Sequence, residues 1–441
     1  MVATALLGLG ICLSGTSRAS GFEVFGVHPE SIGQVSARVA SADDGAGAFY
    51  NPGSLALGRT NRLEVSGAVA RSFLRAQGKQ QPLTDPYSGA ITLAMTLPLT
   101  GPLEDRLRLG LAMHGLTDTL MRLRPQRQTQ PHFPYYDNRT QRFVLIPALG
   151  VRVAKGVGVG VGVNVLAGVQ GAVDVREDQS RAMEAHILQE ASTLMRMVAG
   201  LRWDVTDRLQ LGIAYRQHFG IPLTIATTAN IGGVPLFVDV TSSEAMFDPT
   251  TVVLGAHYRV SDAASLELNV GYHRWSTWKG PLLNIDTTVS ALAIVSDPPD
   301  GVFRDTVSVR AAVAYKLYQS SRTAVSLYGG AGFESSLLNP SFQQGRSNYV
   351  DGAKIPLGIG FSTNVYDVLG DELRFSASLQ SHLVMPYQQD KITCTSAPCA
   401  PNTVVGPDAD NPSAGITNPG YPTLKASGQV MVASFGVGVT Y

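Results

Sequence analysis

The chain has 441 residues, 34 Lys and Arg balanced by 34 Asp and Glu, and only 15% charged residues. Zero formal charge gives no basic or acidic excess to suggest nucleic acid as a partner. No internal run approaches the roughly 20 apolar residues of a membrane-spanning helix, and the 46 glycines sit largely inside apolar stretches, as in the run from Val157 to Val163.

In chain order, Ala3 to Leu13 is an apolar h-region, and Ser17-Arg18-Ala19 offers small residues at the positions signal peptidase reads. Residues 1–19 are therefore expected to be a signal peptide cleaved after Ala19. Residues 20–60 are rich in Gly, Ala and Ser and show no strand alternation. From residue 61 onward one kind of segment recurs, alternating apolar with small or polar residues, as a strand does when its two faces meet different media.

About fourteen such segments are predicted: 61–74, 88–99, 105–117, 139–154, 156–173, 191–205, 208–220, 247–260, 264–276, 303–318, 322–334, 349–365, 372–386 and 425–441. Short and long connectors alternate between them without a break, the rule for a membrane β-barrel with short inner turns and long outer loops. The faces agree. Leu266, Leu268, Val270 and Tyr272 oppose Ser265, Glu267, Asn269 and His273, and Met431, Ala433, Phe435, Val437, Val439 and Tyr441 oppose Ser434, Gly436, Gly438 and Thr440. A charged residue facing lipid at mid-membrane costs about 2–4 kcal/mol, so the charges mark the lumen. The fold expected is all-β, a transmembrane antiparallel barrel occupying 61–441.

The stretch Ser20-Gly21-Phe22, then Ser31-Ile32-Gly33-Gln34, Ala42-Asp43-Asp44 and Phe49-Tyr50-Asn51-Pro52-Gly53-Ser54-Leu55 resembles the opening of the FadL family of outer-membrane transporters for long-chain fatty acids and other hydrophobic compounds. Weaker echoes are Tyr272 to Trp278, Phe303-Arg304-Asp305, and Gly332-Phe333 running into Asn339-Pro340. The resemblance implies a fourteen-stranded barrel whose lumen holds a small N-terminal hatch, residues 20–60. It also implies hydrophobic substrates caught by outer loops and released sideways beside a kinked third strand.

Several residues then become candidates. Asp43 and Asp44 either pair with inward arginines such as Arg108, Arg152, Arg310 or Arg374, or are ordinary turn residues. Asn51-Pro52-Gly53 reads as a turn ending the hatch, and the family match makes it a hinge. Phe22, Phe25 and Val27 are apolar at the mature start, where chains usually fray; they either reach an acyl pocket or pack against the wall. Gly115 either bends the third strand at the family's lateral gap or simply ends it.

The outer loops are unusually apolar. Phe133, Tyr135 and Tyr136 lie in one; in another, Met183, Ile187 and Ala191 fall at helical spacing with Leu188 beside them. Phe133, Tyr135, Tyr136, Ile187 and Leu188 are the expected catching groove. Trp275 and Trp278 are expected in the interfacial aromatic girdle. Arg176 or Lys279 is a rim cation that could meet a substrate carboxylate. With Cys12 in the leader, Cys394 and Cys399 are expected to form a local disulfide.

No Gly-x-Ser-x-Gly elbow and no metal-ligand spacing occurs, and His382 near Ser378 and Ser381 is set aside as coincidence. No cofactor or metal is expected. The function expected is passive uptake of hydrophobic molecules across the outer membrane of a Gram-negative cell, by a monomer. Its expected partners are fatty acids or other hydrophobic small molecules, outer-membrane lipid and lipopolysaccharide, and the barrel assembly machinery. The alternative is a polar-solute porin or an adhesive barrel.

Overall fold

The computed structural model describes residues 24–58, 61–80, 87–98, 106–116, 131–137, 143–177, 183–231, 234–281, 284–287, 301–339, 348–368, 371–391 and 423–440. Phe22, Cys394, Cys399 and the leader lie outside them.

The alternation read from the sequence becomes a closed wall of fourteen antiparallel strands. These are β1 (Arg62–Ser72), β2 (Tyr87–Pro98), β3 (Leu107–Leu116), β4 (Val144–Ala154), β5 (Val157–Glu177), β6 (Met183–Asp204) and β7 (Leu209–Arg216). The circuit continues with β8 (Thr250–Arg259), β9 (Ala264–Arg274), β10 (Thr306–Gln319), β11 (Thr323–Glu334), β12 (Lys354–Val368), β13 (Asp371–Asp390) and β14 (Thr423–Thr440). β14 pairs back onto β1, from Arg62 opposite Thr440 to Ser72 opposite Val430, so no wall edge is left open.

The two faces separate as the period of two requires. On β9, Leu266, Leu268 and Val270 are exposed, whereas Glu267 and Asn269 between them are only 5% and 2% exposed. Leu254, Val309, Ile359, Phe361, Leu379 and Phe435 continue the apolar belt on other strands. Such a belt is stable only against hydrocarbon.

Two outer segments differ from the sequence reading. The spacing at Met183, Ile187 and Ala191 suggests a helix, yet these residues belong to β6. Ile187 pairs with Val173 and Leu188 with Ala172 of β5. β5 and β6 have 21 and 22 residues, about twice the 9–11 a strand needs to cross a bilayer, so the hairpin continues beyond the wall. Cross-strand pairing outweighs the weak local helical preference of a short amphipathic run. The connector 221–246 likewise forms a hairpin, Phe219–Ile231 against Val234–Asp248. Its first strand lies parallel to the outer part of β5, Ile225 opposite Gly171.

Residues 24–58 form three short helices, α1 (Pro29–Gly33), α2 (Gly47–Tyr50) and α3 (Pro52–Leu55). They pack on the inward faces of strands around the wall: α3 on β5 and β6, α1 on β12 and β13.

Candidate functional site

Residues 24–58 are held in place by two kinds of contact. Asn51 is not simply a turn residue but the N-cap of α3. Its Oδ1 accepts from the Gly53 N–H at 3.0 Å, and Pro52 follows at the first helical position. Asn51 Nδ2 donates to the Val39 carbonyl at 2.8 Å and to the Leu201 carbonyl of β6 at 2.9 Å. The wall beneath must be glycine. A Cβ at Gly160 would lie 2.2 Å from the Pro52 carbonyl carbon, and one at Gly200 would lie 2.0 Å from Asn51 Oδ1. The glycine-rich run in β5 therefore makes room for a backbone.

The other end is ionic. Glu30 pairs with Arg374 of β13 and, at 3.0 Å, with Arg38. Asp44 meets His28 at 3.2 Å, Arg38 at 3.7 Å and Arg62 of β1 at 3.9 Å. Of the arginines named as possible wall partners for Asp43 and Asp44, Arg374 thus serves Glu30, and Arg310 pairs with Glu334 at 3.2 Å. Arg38 and Arg62 take Asp44 instead, because the chain folds back and places Arg38 beside it. Burial alone would raise the Glu30 carboxyl, but Arg38 and Arg374 outweigh it and hold it down to about 2. Burial likewise opposes the Asp44 charge, and Arg38 and His28 overcome it, holding that carboxyl well below its usual range. Burial disfavours a charged His28, yet Glu64 and Asp44 raise its pKa.

Outward of this segment lies an aromatic cluster. Phe25, Phe133, Tyr135 and Tyr136, drawn from the N-terminus and one outer loop, are brought together in it. Val27 belongs to a second cluster with Phe49 and Tyr50. Trp275 and Trp278 are 1% and 4% exposed, so they line the interior rather than the interfacial girdle. A 3-10 turn over Trp275–Thr277 breaks the β9 alternation and swings both rings inward. Trp278 stacks on Phe303 at 4.4 Å between centroids, and Phe247 lies parallel to it at 5.5 Å. Tyr135 and Tyr136 meet edge to face at 5.0 Å.

One cation is set among these rings. Lys354 Nζ lies 4.2 Å from the Tyr135 centroid and 2.8 Å from Asp351 Oδ2, while Tyr135 donates to Glu334 at 3.0 Å. Phe247, Tyr349 and Lys354 had no signal in the sequence beyond being apolar or charged near strand ends, and Phe303 had only the weak family echo of Phe303-Arg304-Asp305. The Trp275-x-x-Trp278 spacing was visible, but it fits a girdle equally well. His382 meets Gln380 at 2.8 Å and Tyr136 at 3.4 Å.

At Gly115 the ladder to β2 is unshifted, Ile91 opposite Gly115, so this residue makes no bulge there. β3–β4 pairing ends one residue earlier, at His114 opposite Val144. The β4–β5 ladder skips Ile146 and Pro147 while keeping its register. Pro147 has no N–H to give. Among the described residues no group of three or more His, Cys, Asp or Glu comes together as a metal site.

No protein-family model matches the chain, and no curated protein matches it. Solved structures do. A FadL homologue of Pseudomonas aeruginosa superposes with a TM-score of 0.59 at 14% identity, over 97% of this chain and 99% of that one. The toluene transporter TodX of P. putida gives 0.56 at 12%, over 95% and 99%. The monoaromatic hydrocarbon channel CymD gives 0.54 at 14%, over 96% and 99%. At such identities the likeness is one of fold, and the fold is that of FadL-family transporters.

Proposed function

We propose, from the premise that this chain has the fold of FadL-family transporters, that it is an outer-membrane channel for passive uptake of hydrophobic molecules. The carrying observation is the buried aromatic cluster built from outer loops and seated on residues 24–58 inside a closed wall. An aqueous porin has no use for such a surface, whereas a hydrocarbon or acyl chain gains about 25 cal/mol for each Å² of apolar area it buries there. Solved channels of this fold carry toluene and monoaromatic hydrocarbons by their descriptions, which supports the same class of cargo here, fatty acids included.

Residues 20–60 act as the hatch, and cargo leaves sideways into the bilayer, since an apolar solute gains nothing from periplasmic water. We take the exit to lie at the outer ends of β3 and β4, where Gly115 lies beyond the last β3–β4 pair among the described residues and the β4–β5 ladder skips Ile146 and Pro147. The protein contributes binding and gating, with no cofactor.

Uptake of radiolabelled toluene and oleate by cells producing the protein tests this. The rate for at least one of the two cargoes is expected to rise above that of control cells, and Trp278→Ala is expected to lower it roughly tenfold, as for loss of one buried aromatic anchor. Rapid swelling of proteoliposomes in sugars, with no gain in hydrophobic uptake, would assign the barrel to the porins instead. Pro147→Val restores a ladder donor and is expected to slow uptake a few-fold if the exit lies there. An unchanged rate would place the exit elsewhere.

A further inference from the structure

A hydrogen-bonded Ser–His–Thr row crosses three adjacent wall strands on the lumen side. Thr251 of β8 pairs with His273 of β9, and Gly271 of β9 pairs with Ser308 of β10. His273 Nε2 and Ser308 Oγ are 3.0 Å apart, and His273 Nδ1 and Thr251 Oγ1 are 3.2 Å apart. The Thr251 hydroxyl donates its one proton to the Pro249 carbonyl at 3.2 Å. Its oxygen is then the acceptor toward the imidazole, so Nδ1 carries the hydrogen. That leaves the Nε2 lone pair to accept from the Ser308 hydroxyl, the tautomer a general base needs.

Space for a reacting atom is kept beside this pair. A Cβ at Gly271 would fall 2.6 Å from Ser308 Oγ and 3.0 Å from His273 Nε2. The glycine therefore holds open a point within about 3 Å of both, which a nucleophile and its base require. Ser308, His273, Thr251 and Arg310 line one cavity of about 60 Å³ facing Tyr50, several times the roughly 10–15 Å³ one water needs. Arg310 stands two residues beyond Ser308 on the same face. Its Nε has no hydrogen-bond partner among the described residues.

We propose that Ser308 and His273 form an acyl-transfer centre in the lumen, positioned by Thr251 and acting on short-chain carboxylic esters. Ser308 Oγ bonds to the ester carbonyl carbon as its proton passes to His273 Nε2. Arg310 Nε faces the oxyanion that forms. The carbon–alkoxy bond breaks, and the leaving alkoxide takes that proton from His273. A water then attacks the acyl-serine, giving a proton to His273 that returns to Ser308 Oγ as the carboxylic acid departs. No oxidant, reductant or metal enters the balance.

The test uses the purified full-length barrel, folded in detergent, with a short-alkyl fluorophosphonate as probe. Mass spectrometry is expected to find the phosphonate on Ser308, and not after heat denaturation. Ser308→Ala is expected to remove this label, and His273→Gln to slow labelling about a hundredfold, the low end of general-base contributions. Thr251→Val is expected to lower kcat for p-nitrophenyl butyrate about tenfold with KM unchanged, and Thr251→Ser to restore it. A folded wild-type barrel that leaves Ser308 unlabelled overturns the proposal. So does a His273→Gln barrel, shown folded by its gel migration, that labels at the wild-type rate. Neither result bears on uptake, because labelling requires no transport.

Discussion

The two ends of the 24–58 segment are attached to the same wall by opposite means. Residues 51–58 contain no charge, and α3 lies on bare backbone, with Asn51 reaching Leu201 across a glycine floor. The α1 end carries Glu30, Arg38 and Asp44 into a buried network with Arg62 and Arg374. A steric seat depends on the absence of atoms and is insensitive to pH and salt. An ionic tether depends on charge balance and can be undone by one proton or one missing partner. One short segment packed on the wall can thus have one end set by shape and the other by titratable contacts.

The sharpest way to break this contrast is Arg374→Met. It strips a nearly buried carboxylate of one of its two cations, and breaking a buried pair costs about 3–5 kcal/mol. Protease protection of residues 24–58 in the inserted barrel is expected to fall at the α1 end while Asn51 to Gly58 stays protected. Loss of protection along the whole segment would mean that the two ends act as one unit.

Gly160→Val attacks the seat instead. Its Cβ has no position to occupy without moving Pro52, and overpacking of this kind costs about 1–3 kcal/mol. A rise in single-channel conductance with the barrel still heat-modifiable on a gel is expected. Unchanged conductance would show that outer loops, not residues 24–58, close the pore. Asn51→Ala removes the cap of α3 and its bond to β6, with about 0.5–2 kcal/mol expected, read as a smaller loss of protection confined to the α3 end.

The smallest effect at neutral pH is titration of Glu30. Its carboxyl is lower in the folded protein than its usual 4.5, so the stability it contributes is complete above that value. That contribution is lost as pH falls through about 2. Protection at the α1 end is expected to fade on the acid side in that window, and Glu30→Gln to flatten that part of the response. His28 has the opposite sign. Its contribution is present below about 6.5 and is lost as pH rises through its raised value. A segment equally protected from pH 2 to 9 would show that shape alone holds both ends.

Much of this architecture was legible in the chain. The number of wall strands, most of their spans and the lumen face of β9 follow from alternation, whereas the connectors 174–190 and 221–246, read as loops, carry strand in the structure. Phe25, Phe133, Tyr135 and Tyr136 could be picked out as apolar residues with no strand to belong to. Trp275 and Trp278 could not be placed, because an aromatic at a strand end looks the same whether its ring turns toward lipid or lumen, and the 3-10 turn decides it. Ile187 and Leu188 misled for a related reason: helical spacing over nine residues is weak against the partner strand that β5 supplies. The Ser308–His273 pair carried no motif, since its members are 35 residues apart on neighbouring strands.

What the sequence determined by itself is therefore the wall. Side chains alternate across any extended strand because of backbone geometry, so each strand records which face meets lipid without reference to its neighbours. The contacts on the inward side of the wall could be known only once the chain was folded. Glu30 meets Arg374 across 344 positions, Ala40 meets Glu267 across 227, and Tyr135 meets Glu334 across 199. Contacts at such separations have no period to leave in the sequence. They exist because closing β14 on β1 turns one face of every strand toward the same small volume, where residues 24–58 and the outer loops must fit together.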